Sequence, residues 1–334
     1  MVRLSRGDDT HYIYKGRRLT MNVLLNLELD DHQVQQIGSV SSDVELMRLQ
    51  SEGEILEAMP DVQVVFGDLS EEMFARGSSL RWVQATGAGV DERLFPDLVE
   101  SDVFLTSAKG TVGVHLADHA MALLLGLIRG IATAVRNPSW DQRMPIRNAT
   151  WELSDRTMGI VGLGGTGRDL ADRAHAFGMR IIAVDPEDVE LPDNVEACWK
   201  MDRFHDLLEQ SDVVAICAPL TPETDGMFDE QAFARMRDHA LLINVTRGKI
   251  VDEQSLMDAL RNGAIGGAGL DVTPQEPLPE DHPLWRMANV IVTPHAAGGS
   301  PNRVDRIVDL FCENLKRILA DQPLLSVIDK RKGY

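Results

Sequence analysis

Short apolar runs alternate with helical patterns over the first third of the chain. The apolar runs are MNVLLNLEL (residues 21–29), VQVVFG (near residue 64), LRWVQATG (80–87) and VFLTSA (103–108). Turn residues bound each run, and helical patterns such as EGEILEAM lie between them. This alternation is typical of βαβ units, so it predicts a first parallel sheet with helices on its faces.

A second set of apolar runs follows a long helical segment. It consists of TMGIVGLG (157–164), MRIIAVD (179–185), DVVAICAP (212–219), ALLINVT (240–246), GAGLDV (267–272) and NVIVTPH (289–295). Helical or turn sequence separates each run from the next. Six strands of this kind fit a doubly wound nucleotide-binding sheet.

The C-terminal segment from about Arg303 to Ala320 has helical periodicity, with apolar residues on one stripe. We therefore predict an α/β protein with two Rossmann-like, doubly wound parallel-sheet domains and a cleft between them. Residues 1–112 and 299–334 would form the substrate domain, which is flavodoxin-like. Residues 113–298 would form the nucleotide-binding Rossmann domain, inserted into the first.

The stretch from His115 to Val135 is the one apolar segment that resembles a membrane span. It carries Asp118, His119 and Arg129, and charges near the centre of a bilayer are costly. We expect a buried helix instead. The first residues, MVRLSRGDDTHYIYKGRRLT, are polar and lack the apolar run of a signal peptide, so a cytoplasmic protein is predicted.

Composition and charge narrow the range of partners. The 334 residues are 44% hydrophobic and 25% charged, as in globular proteins. The net charge of −19 repels nucleic acid and anionic lipid, so neither is an expected partner. The three cysteines, without a CxxC pair, favour small core residues in a reducing compartment over a disulfide framework or a zinc site.

A glycine-rich motif, GLGGTG, joins the apolar strand MGIV to the helix RDLADRAHAFG. Gly162 would allow the tight turn, Gly164 the close approach of a pyrophosphate, and Gly167 the packing of helix on strand. The helix N-terminus would then offer free N–H groups to the phosphates. An ordinary glycine turn is the alternative, but the strand before and the helix after favour a dinucleotide site.

Asp185 ends the next strand, 18 positions after Gly167. A carboxylate at this position hydrogen-bonds the ribose hydroxyls of NAD and repels the 2′-phosphate of NADP. The sequence therefore predicts NAD (NADH) as the cofactor.

Three polar residues follow the carboxyl ends of strands, where open α/β sheets bind ligands. They are Arg247 after ALLINVT, Glu276 in DVTPQEPLP, and His295 at the end of NVIVTPH. Reduction of a 2-keto acid needs a fixed cation for the carboxylate, a proton donor for the keto oxygen, and an anion that orients this donor. Arginine, histidine and glutamate supply these three functions.

Each of these residues has a simpler interpretation when it is taken alone. A strand-end arginine is often a surface ion pair, a single histidine is usually structural, and a glutamate in a proline-rich loop is often solvated. Their order after strand ends, downstream of the dinucleotide motif, favours the catalytic interpretation.

From residue 80 onward the chain resembles the D-isomer-specific 2-hydroxyacid dehydrogenases. The resemblance rests on the strings QATGAGVDE, LADHAMALLLGLIRG, MGIVGLGGTGRDLADRAHAFGM, APLTPETDGMFD, LLINVTRGKIVDEQSLMDAL, GAGLDVTPQEPLP and VIVTPHAAG. Within that family the N-terminal half is most similar to the glyoxylate/hydroxypyruvate reductase-like branch. The resemblance implies an NAD-dependent oxidoreductase that acts on a small 2-keto or D-2-hydroxy acid.

The resemblance also implies roles for individual residues. Arg247 matches the substrate-binding arginine, His295 the acid–base and Glu276 its carboxylate partner. Ala88 and Gly89 match the loop whose backbone N–H groups hold the substrate carboxylate. The positions that match the lining of the cofactor site are Gly162, Gly164, Gly165, Thr166, Gly167, Asp185, Pro219, Thr224, Thr246 and Asp271. Family members are usually homodimers built through the nucleotide-binding domain, and residues 140–151 resemble the region that crosses to the partner.

Three alternatives remain open at this point. The family fold also serves NAD-binding corepressors that act mainly through partner proteins, and sister enzymes that oxidise formate or phosphite. His115 and His119, one helical turn apart, have a spacing that could present two metal ligands, although no metal is needed for the reaction.

Overall fold

The computed structural model of the chain describes residues 20–49 and 51–334. These residues form two compact units. Unit 1 contains the described residues up to Thr111 together with Pro301–Tyr334, and unit 2 contains Val112–Ser300. Residues 1–19, which the sequence analysis placed in the substrate domain, lie outside the described residues.

In the described part of unit 1, five parallel strands form one sheet in the order β2-β1-β3-β4-β5. The strands are β1 (Met21–Asn26), β2 (Val44–Met47), β3 (Val64–Gly67), β4 (Trp82–Gln84) and β5 (Phe104–Thr106). The helices between them are α1 (Asp31–Gly38), α2 (Glu52–Ala58), α3 (Glu71–Arg76) and α4 (Pro96–Glu100). Ser51 and Ser70 cap α2 and α3 by accepting backbone N–H groups.

The C-terminal helix (Arg303–Leu319) packs on this sheet, as the apolar stripe predicted. The ring of Phe311 is fully buried and stacks on Phe66, with 4.2 Å between ring centroids, and on Trp82 at 4.9 Å. Burying an aromatic ring of this size stabilises a fold by roughly 1.5–3 kcal/mol. The last helix of the chain therefore belongs to the core formed by the first hundred residues.

In unit 2, all of which the structure describes, seven parallel strands form a sheet in the order β12-β11-β10-β9-β6-β7-β8. The strands are β6 (Thr157–Val161), β7 (Arg180–Val184), β8 (Ala197–Trp199), β9 (Val213–Ile216), β10 (Leu241–Asn244), β11 (Gly267–Leu270) and β12 (Val290–Val292). The helices are α5 (Gly113–Ile128), α6 (Ile131–Arg136), α7 (Arg143–Ala149), α8 (Gly165–Ala176), α9 (Phe204–Gln210), α10 (Glu230–Arg235) and α11 (Glu253–Asn262).

The register of the last three strands aligns their carboxyl ends. Asn244 of β10 pairs with Leu270 of β11, and Leu270 pairs with Val292 of β12. The loops that leave these strands therefore start side by side at one edge of the sheet. Both sheets are parallel α/β sheets, which confirms the predicted fold class.

The predicted set of strands was incomplete. The second sheet has seven strands rather than six, because β8 was missed, and the first sheet contains β2, which was also missed. Both lie at a sheet edge and are only partly buried, with no residue fully enclosed. β2 has four residues and β8 three, so neither is long enough to show a clear strand pattern along the sequence.

The segment 115–135 is not one buried helix, which corrects that prediction. α5 is buried over most of its length, but Gly130 adopts a left-handed backbone with a φ of 65° and separates it from α6. Ile131 and Val135 of α6 are exposed. Over residues 20–49 and 51–334, no helix combines the length and apolarity that crossing a bilayer requires.

Candidate active site

The glycine-rich turn between β6 and α8 has the geometry of a phosphate cradle. Gly162 has a φ of 94°, and a Cβ there would lie 2.8 Å from the backbone of Ala218. A Cβ on Gly167 would lie 2.2 Å from the carbonyl oxygen of Gly162, so the helix can approach the strand only without a side chain. A Cβ on Gly164, by contrast, would meet no protein atom within 4 Å.

The N-terminus of α8 is available to an anion. The N-cap residue is Gly164, and no side chain caps the first turn. Backbone N–H groups at a helix N-terminus, together with the helix dipole, favour a bound phosphate. Gly165 and Thr166 are the first two residues of this helix, and the open space beside Gly164 fits the pyrophosphate of a dinucleotide.

Asp185 lies directly after β7 and is buried. Its Oδ2 accepts a hydrogen bond from the Leu163 N–H at 2.8 Å, and its Oδ1 accepts one from the Glu187 N–H at 2.9 Å. A carboxylate has about four acceptor sites, so two remain for the hydroxyls of a ribose. The bond to Leu163 also ties Asp185 to the glycine-rich turn.

Arg247 leaves the end of β10 in a turn that Asn244 holds. The Nδ2 of Asn244 donates to the carbonyl oxygen of Arg247 at 2.9 Å, and its Oδ1 accepts from the Thr246 N–H at 3.1 Å. Asn244 is almost fully buried. The guanidinium Nη1 donates to the carbonyl oxygen of Thr246 at 2.9 Å. These bonds fix the backbone from which the Arg247 side chain projects.

Gly248 brings the Arg247 turn against the loop that carries Glu276. A Cβ on Gly248 would lie 2.0 Å from the carbonyl carbon of Thr273, so only glycine permits this backbone contact. The Thr273 N–H in turn donates to Glu276 Oε1 at 2.9 Å. The two loops are therefore packed on each other at the ends of β10 and β11.

Glu276 and His295 form a direct pair. The distance from His295 Nδ1 to Glu276 Oε2 is 2.7 Å, while the other carboxylate oxygen, Oε1, is held by Thr273. A carboxylate that accepts from Nδ1–H fixes the orientation of the imidazole. About half of the His295 side chain is exposed, so a substrate can reach the ring.

Asp271 supports the turn that carries His295. Its carbonyl oxygen accepts from the His295 N–H, and its carboxylate accepts from the N–H groups of Ala296 and Ala297, each at 2.8 Å. Burial alone would raise the pKa of the Asp271 carboxyl. Hydrogen bonds from His119, Thr293 and the backbone outweigh this effect and lower the pKa to about 2.

The remaining residues predicted to line a cofactor site lie in loops that follow strands. The Oγ1 of Thr224 donates to the Pro219 carbonyl oxygen and accepts from the Thr221 N–H, both at 2.8 Å, so it closes the loop after β9. Thr246 is partly buried beside Asn244. All of these residues lie in unit 2.

Ala88 and Gly89 lie in unit 1, in the loop that follows β4. The Ala108 N–H donates to the Gly87 carbonyl oxygen at 2.8 Å, and Arg303 Nη2 donates to the Thr86 carbonyl oxygen at 3.0 Å. These two bonds hold the loop in unit 1.

Sequence reasoning missed four residues that hold the predicted site residues in place: Asn244, Thr273, Thr293 and His119. Of these, His119 was considered only as a metal ligand. They bond to backbone or side-chain atoms of the candidate site, but their letters alone do not reveal these partners. The buried Asn244 at a strand end, three positions before Arg247, was the one available signal, because buried amides are almost always hydrogen-bonded.

His119, one of the two histidines considered above as metal ligands, contacts the loop after β12. His119 Nε2 lies 2.8 Å from Thr293 Oγ1 and 3.3 Å from Asp271 Oδ1. Among the residues that the structure describes, no group of three or more His, Cys, Asp or Glu side chains is arranged to hold a metal ion.

Comparison with known proteins identifies the family. A family model described as "D-isomer specific 2-hydroxyacid dehydrogenase, NAD binding domain" matches residues 121–297. The chain is 36% identical over 272 residues to a glyoxylate reductase of Korarchaeum cryptofilum, and the match covers 78% of this chain and 81% of that protein.

Two solved structures share the fold over nearly the whole chain. A D-isomer specific 2-hydroxyacid dehydrogenase of Xanthobacter autotrophicus Py2, in complex with NADPH and MES, is 29% identical with a TM-score of 0.77 and covers 94% of this chain and 100% of its own. An NADPH-dependent glyoxylate/hydroxypyruvate reductase of Sinorhizobium meliloti, in complex with NADP and sulfate, is 26% identical with the same TM-score and coverage.

The corepressor and formate or phosphite dehydrogenase alternatives draw no support from these relatives. The nucleotide cradle and the family match agree on a nicotinamide cofactor. The chain therefore belongs to the D-isomer specific 2-hydroxyacid dehydrogenase family, and it is an NAD(P)-dependent oxidoreductase that transfers a hydride between its cofactor and a 2-keto or 2-hydroxy acid.

Proposed function

We propose that this enzyme reduces a small 2-keto acid of the glyoxylate or hydroxypyruvate type to the D-2-hydroxy acid, with NADH as the preferred reductant. The observation that carries the proposal is the His295–Glu276 pair, 2.7 Å apart; the loop that carries Glu276 packs against the Arg247 turn at Gly248. The names of the glyoxylate reductase and glyoxylate/hydroxypyruvate reductase relatives support the substrate class.

Arg247 binds the substrate carboxylate in this proposal. A guanidinium presents two parallel N–H donors to a carboxylate, and this geometry fixes the orientation of the substrate. The Asn244 and Gly248 contacts hold the Arg247 backbone, so the side chain starts from a fixed position. By family resemblance, the backbone N–H groups of Ala88 and Gly89 also bind the substrate carboxylate.

His295 exchanges the proton. Glu276 engages Nδ1, so Nε2 is the ring nitrogen that remains for the substrate oxygen. In reduction the protonated imidazole donates from Nε2 to the keto oxygen, and in oxidation the neutral ring accepts the hydroxyl proton. Glu276 holds the ring in place. It also stabilises the positive charge that the ring carries before it donates a proton in reduction and after it accepts one in oxidation.

The nicotinamide cofactor, when bound, supplies or accepts the hydride. The N-terminus of α8 and the turn from Gly162 to Gly167 would hold its pyrophosphate, and Asp185 its ribose hydroxyls. A carboxylate beside the ribose disfavours a 2′-phosphate, which supports the preference for NADH. Pro219, Thr224, Thr246 and Asp271 are assigned to the rest of the lining by resemblance.

We also propose a cytoplasmic homodimer that forms through unit 2. The segment that comprises α6, α7 and the residues between them exposes several large apolar side chains: Ile131, Val135, Trp140 and Met144. Trp140 is 85% exposed and Val135 74%. An apolar patch of this kind in a stable protein usually marks a protein interface, and a second copy of the chain would cover it.

A substrate panel tests the proposed function. NADH consumption is measured with glyoxylate, hydroxypyruvate, pyruvate and bulkier 2-keto acids, and NADPH is run in parallel. We expect the highest kcat/KM for a two- or three-carbon acid with NADH. Arg247→Ala should raise KM for the keto acid strongly, whereas Arg235→Ala, at an exposed arginine in α10, should not.

Two results would contradict the proposal. NADH binding, followed by its fluorescence, without turnover of any keto acid would indicate a nucleotide sensor instead of an enzyme of this class. Comparable kcat/KM with NADPH and NADH would overturn the cofactor preference assigned to Asp185.

A further inference from the structure

The backbone at His295 adopts a conformation that a residue with a side chain rarely adopts. Its φ is 50°, which lies in the left-handed region, and it follows β12 by only three residues. Glycine or asparagine usually occupies such positions, because a Cβ crowds the next carbonyl group. Neighbouring groups must therefore hold the turn that carries His295.

Asp271, at the end of the adjacent strand, accepts three consecutive backbone N–H groups of this turn. The His295 N–H bonds to the Asp271 carbonyl oxygen, and the Ala296 and Ala297 N–H groups bond to the Asp271 carboxylate. All three distances are 2.8 Å. Asp271 is 1% exposed, so these bonds form out of contact with water. Its position consequently determines where the His295 side chain points.

A second chain of hydrogen bonds reaches Asp271 from α5. An ionised carboxylate can only accept, so the Thr293 hydroxyl must donate across its 2.6 Å contact with Asp271 Oδ1. The oxygen of that hydroxyl then accepts from His119 Nε2 at 2.8 Å. The direction of every bond is fixed, and Nε2 of His119 must carry a hydrogen.

We propose that His119 is a positioning residue for the reaction: its Nε2–H orients the Thr293 hydroxyl on Asp271, and Asp271 in turn aims His295 at Glu276. This inference rests on the proposed function, in which His295 is the acid–base. His119 acts through Thr293 and Asp271, and its own ring is 3.3 Å from the Asp271 carboxylate.

If His119 is a positioning residue, its replacement must keep an N–H donor. If His119 only fills space, a side chain of similar volume is enough. An amide can place an N–H donor near the location of Nε2, whereas an aliphatic side chain fills the volume but donates nothing. Two substitutions make the same comparison at position 293. Thr293→Ser keeps the hydroxyl, and Thr293→Val keeps the shape of the side chain but removes the hydroxyl. His175, exposed near the end of α8, provides a histidine control in the same unit.

The test compares His119→Gln, His119→Leu, Thr293→Ser, Thr293→Val and the control His175→Leu in the full-length enzyme. Steady-state kinetics and NADH affinity by fluorescence are measured for each, with melting temperature as the check on folding. We expect His119→Leu and Thr293→Val to lower kcat about tenfold or more with little change in KM for NADH, because a small displacement of an acid–base group is costly to the chemical step. His119→Gln and Thr293→Ser should retain most of the activity.

The two positions should also be coupled. Because they act in one chain of hydrogen bonds, the double variant His119→Leu/Thr293→Val should be no slower than the worse single variant. Equal losses in His119→Gln and His119→Leu, or independent losses at the two positions, would show that His119 only fills space. Should His119→Leu fail to fold, the comparison of Thr293→Val with Thr293→Ser still tests the hydroxyl that links His119 to Asp271, and equal activity in these two variants would overturn the proposal.

Failure of this inference can be separated from failure of the proposed function. If the wild-type enzyme turns over no keto acid, or if His295→Asn is fully active, the proposed function is wrong. If the wild type is active, His295→Asn is inactive and His119→Leu equals wild type, only the role of His119 is wrong.

Discussion

At the scale of single residues, the candidate site is built from side chains that bond to nearby backbone groups. Glu276 is fixed by the Thr273 N–H, Arg247 projects from a turn held by Asn244, and His295 lies in a turn held by Asp271. Backbone donors and acceptors move less than side chains do. The pair of His295 and Glu276 is therefore in place before a substrate arrives, which lowers the cost of reaching the transition state.

The first residue-scale prediction concerns the proton exchange. His295→Asn should lower kcat for keto-acid reduction by roughly 10²–10⁴, the usual contribution of general acid catalysis. Glu276→Gln should cost less, since an amide oxygen still accepts from Nδ1 but carries no charge. Stopped-flow kinetics with NADH and glyoxylate measures both, and His205→Asn, an exposed histidine in α9, serves as the control. Normal turnover in His295→Asn would contradict the assignment.

The second residue-scale prediction concerns Asp271 and the stability of the folded protein at low pH. Its folded pKa of about 2 lies below the unfolded value near 3.9, so the proton binds more tightly to the unfolded chain. The resulting stabilisation, roughly 2–3 kcal/mol, is complete above about pH 5 and is lost as pH falls through the folded pKa of about 2. Urea unfolding of the wild type and Asp271→Asn should show a stability difference that narrows below pH 4. A difference independent of pH would contradict this.

At the scale of elements, the ends of β6, β7 and β10 to β12 determine where the chemistry lies. Parallel strands bring their carboxyl ends to one edge, and the register of Asn244, Leu270 and Val292 places three loops side by side there. Glycines then set how closely each loop can approach its neighbour. Gly248 permits the contact with Thr273, and Gly167 lets α8 lie against β6.

Two glycines of the same turn should behave oppositely when substituted. Gly164→Ala adds a Cβ that meets no protein atom, so it should leave the melting temperature nearly unchanged and weaken NADH binding where the pyrophosphate approaches. Gly167→Ala places a Cβ against the Gly162 carbonyl oxygen and should lower the melting temperature by several degrees. Thermal melts and NADH titration distinguish these effects. Unchanged NADH affinity in Gly164→Ala would contradict a pyrophosphate at this turn.

Prediction from sequence succeeded for the longer apolar runs and failed for two short edge strands. The strands at the centres of both sheets lie in long apolar runs and were found, whereas β2 and β8 have only four and three residues, are partly buried, and were not found. The apolar segment after residue 115 was interpreted as one buried helix, but its second part is exposed after the turn at Gly130. A pattern of apolar residues shows that one face of an element is apolar, but it does not show whether that face is buried in the core or exposed for a protein interface.

At the scale of the whole molecule, the chain has two α/β units with separate cores. The C-terminal helix packs with the first sheet through Phe311, so residues that are far apart in sequence form the core of unit 1. Unit 2 contains the nucleotide cradle and the pair of His295 and Glu276. It also exposes the apolar side chains of α6 and α7, through which the proposed dimer would form.

The dimer proposal predicts the effect of charge on that patch. Val135→Glu should yield a monomer, because burying an unpaired carboxylate in an apolar interface is costly. Phe177→Glu, which alters another exposed apolar residue of unit 2, should leave the oligomeric state unchanged. Sedimentation velocity measures both variants, and the proposal fails if wild type and Val135→Glu sediment alike.

The sequence by itself determined the fold class, and it predicted the glycine-rich nucleotide turn and Arg247, Glu276 and His295 as site residues, because these depend on local pattern and on residue types in order along the chain. Only the tertiary structure decided which groups hold those residues. The Thr273 N–H on Glu276, Asp271 beneath the His295 turn and His119 behind Thr293 join residues up to 174 positions apart. Such bonds depend on strand register and helix packing, which the order of residues does not display.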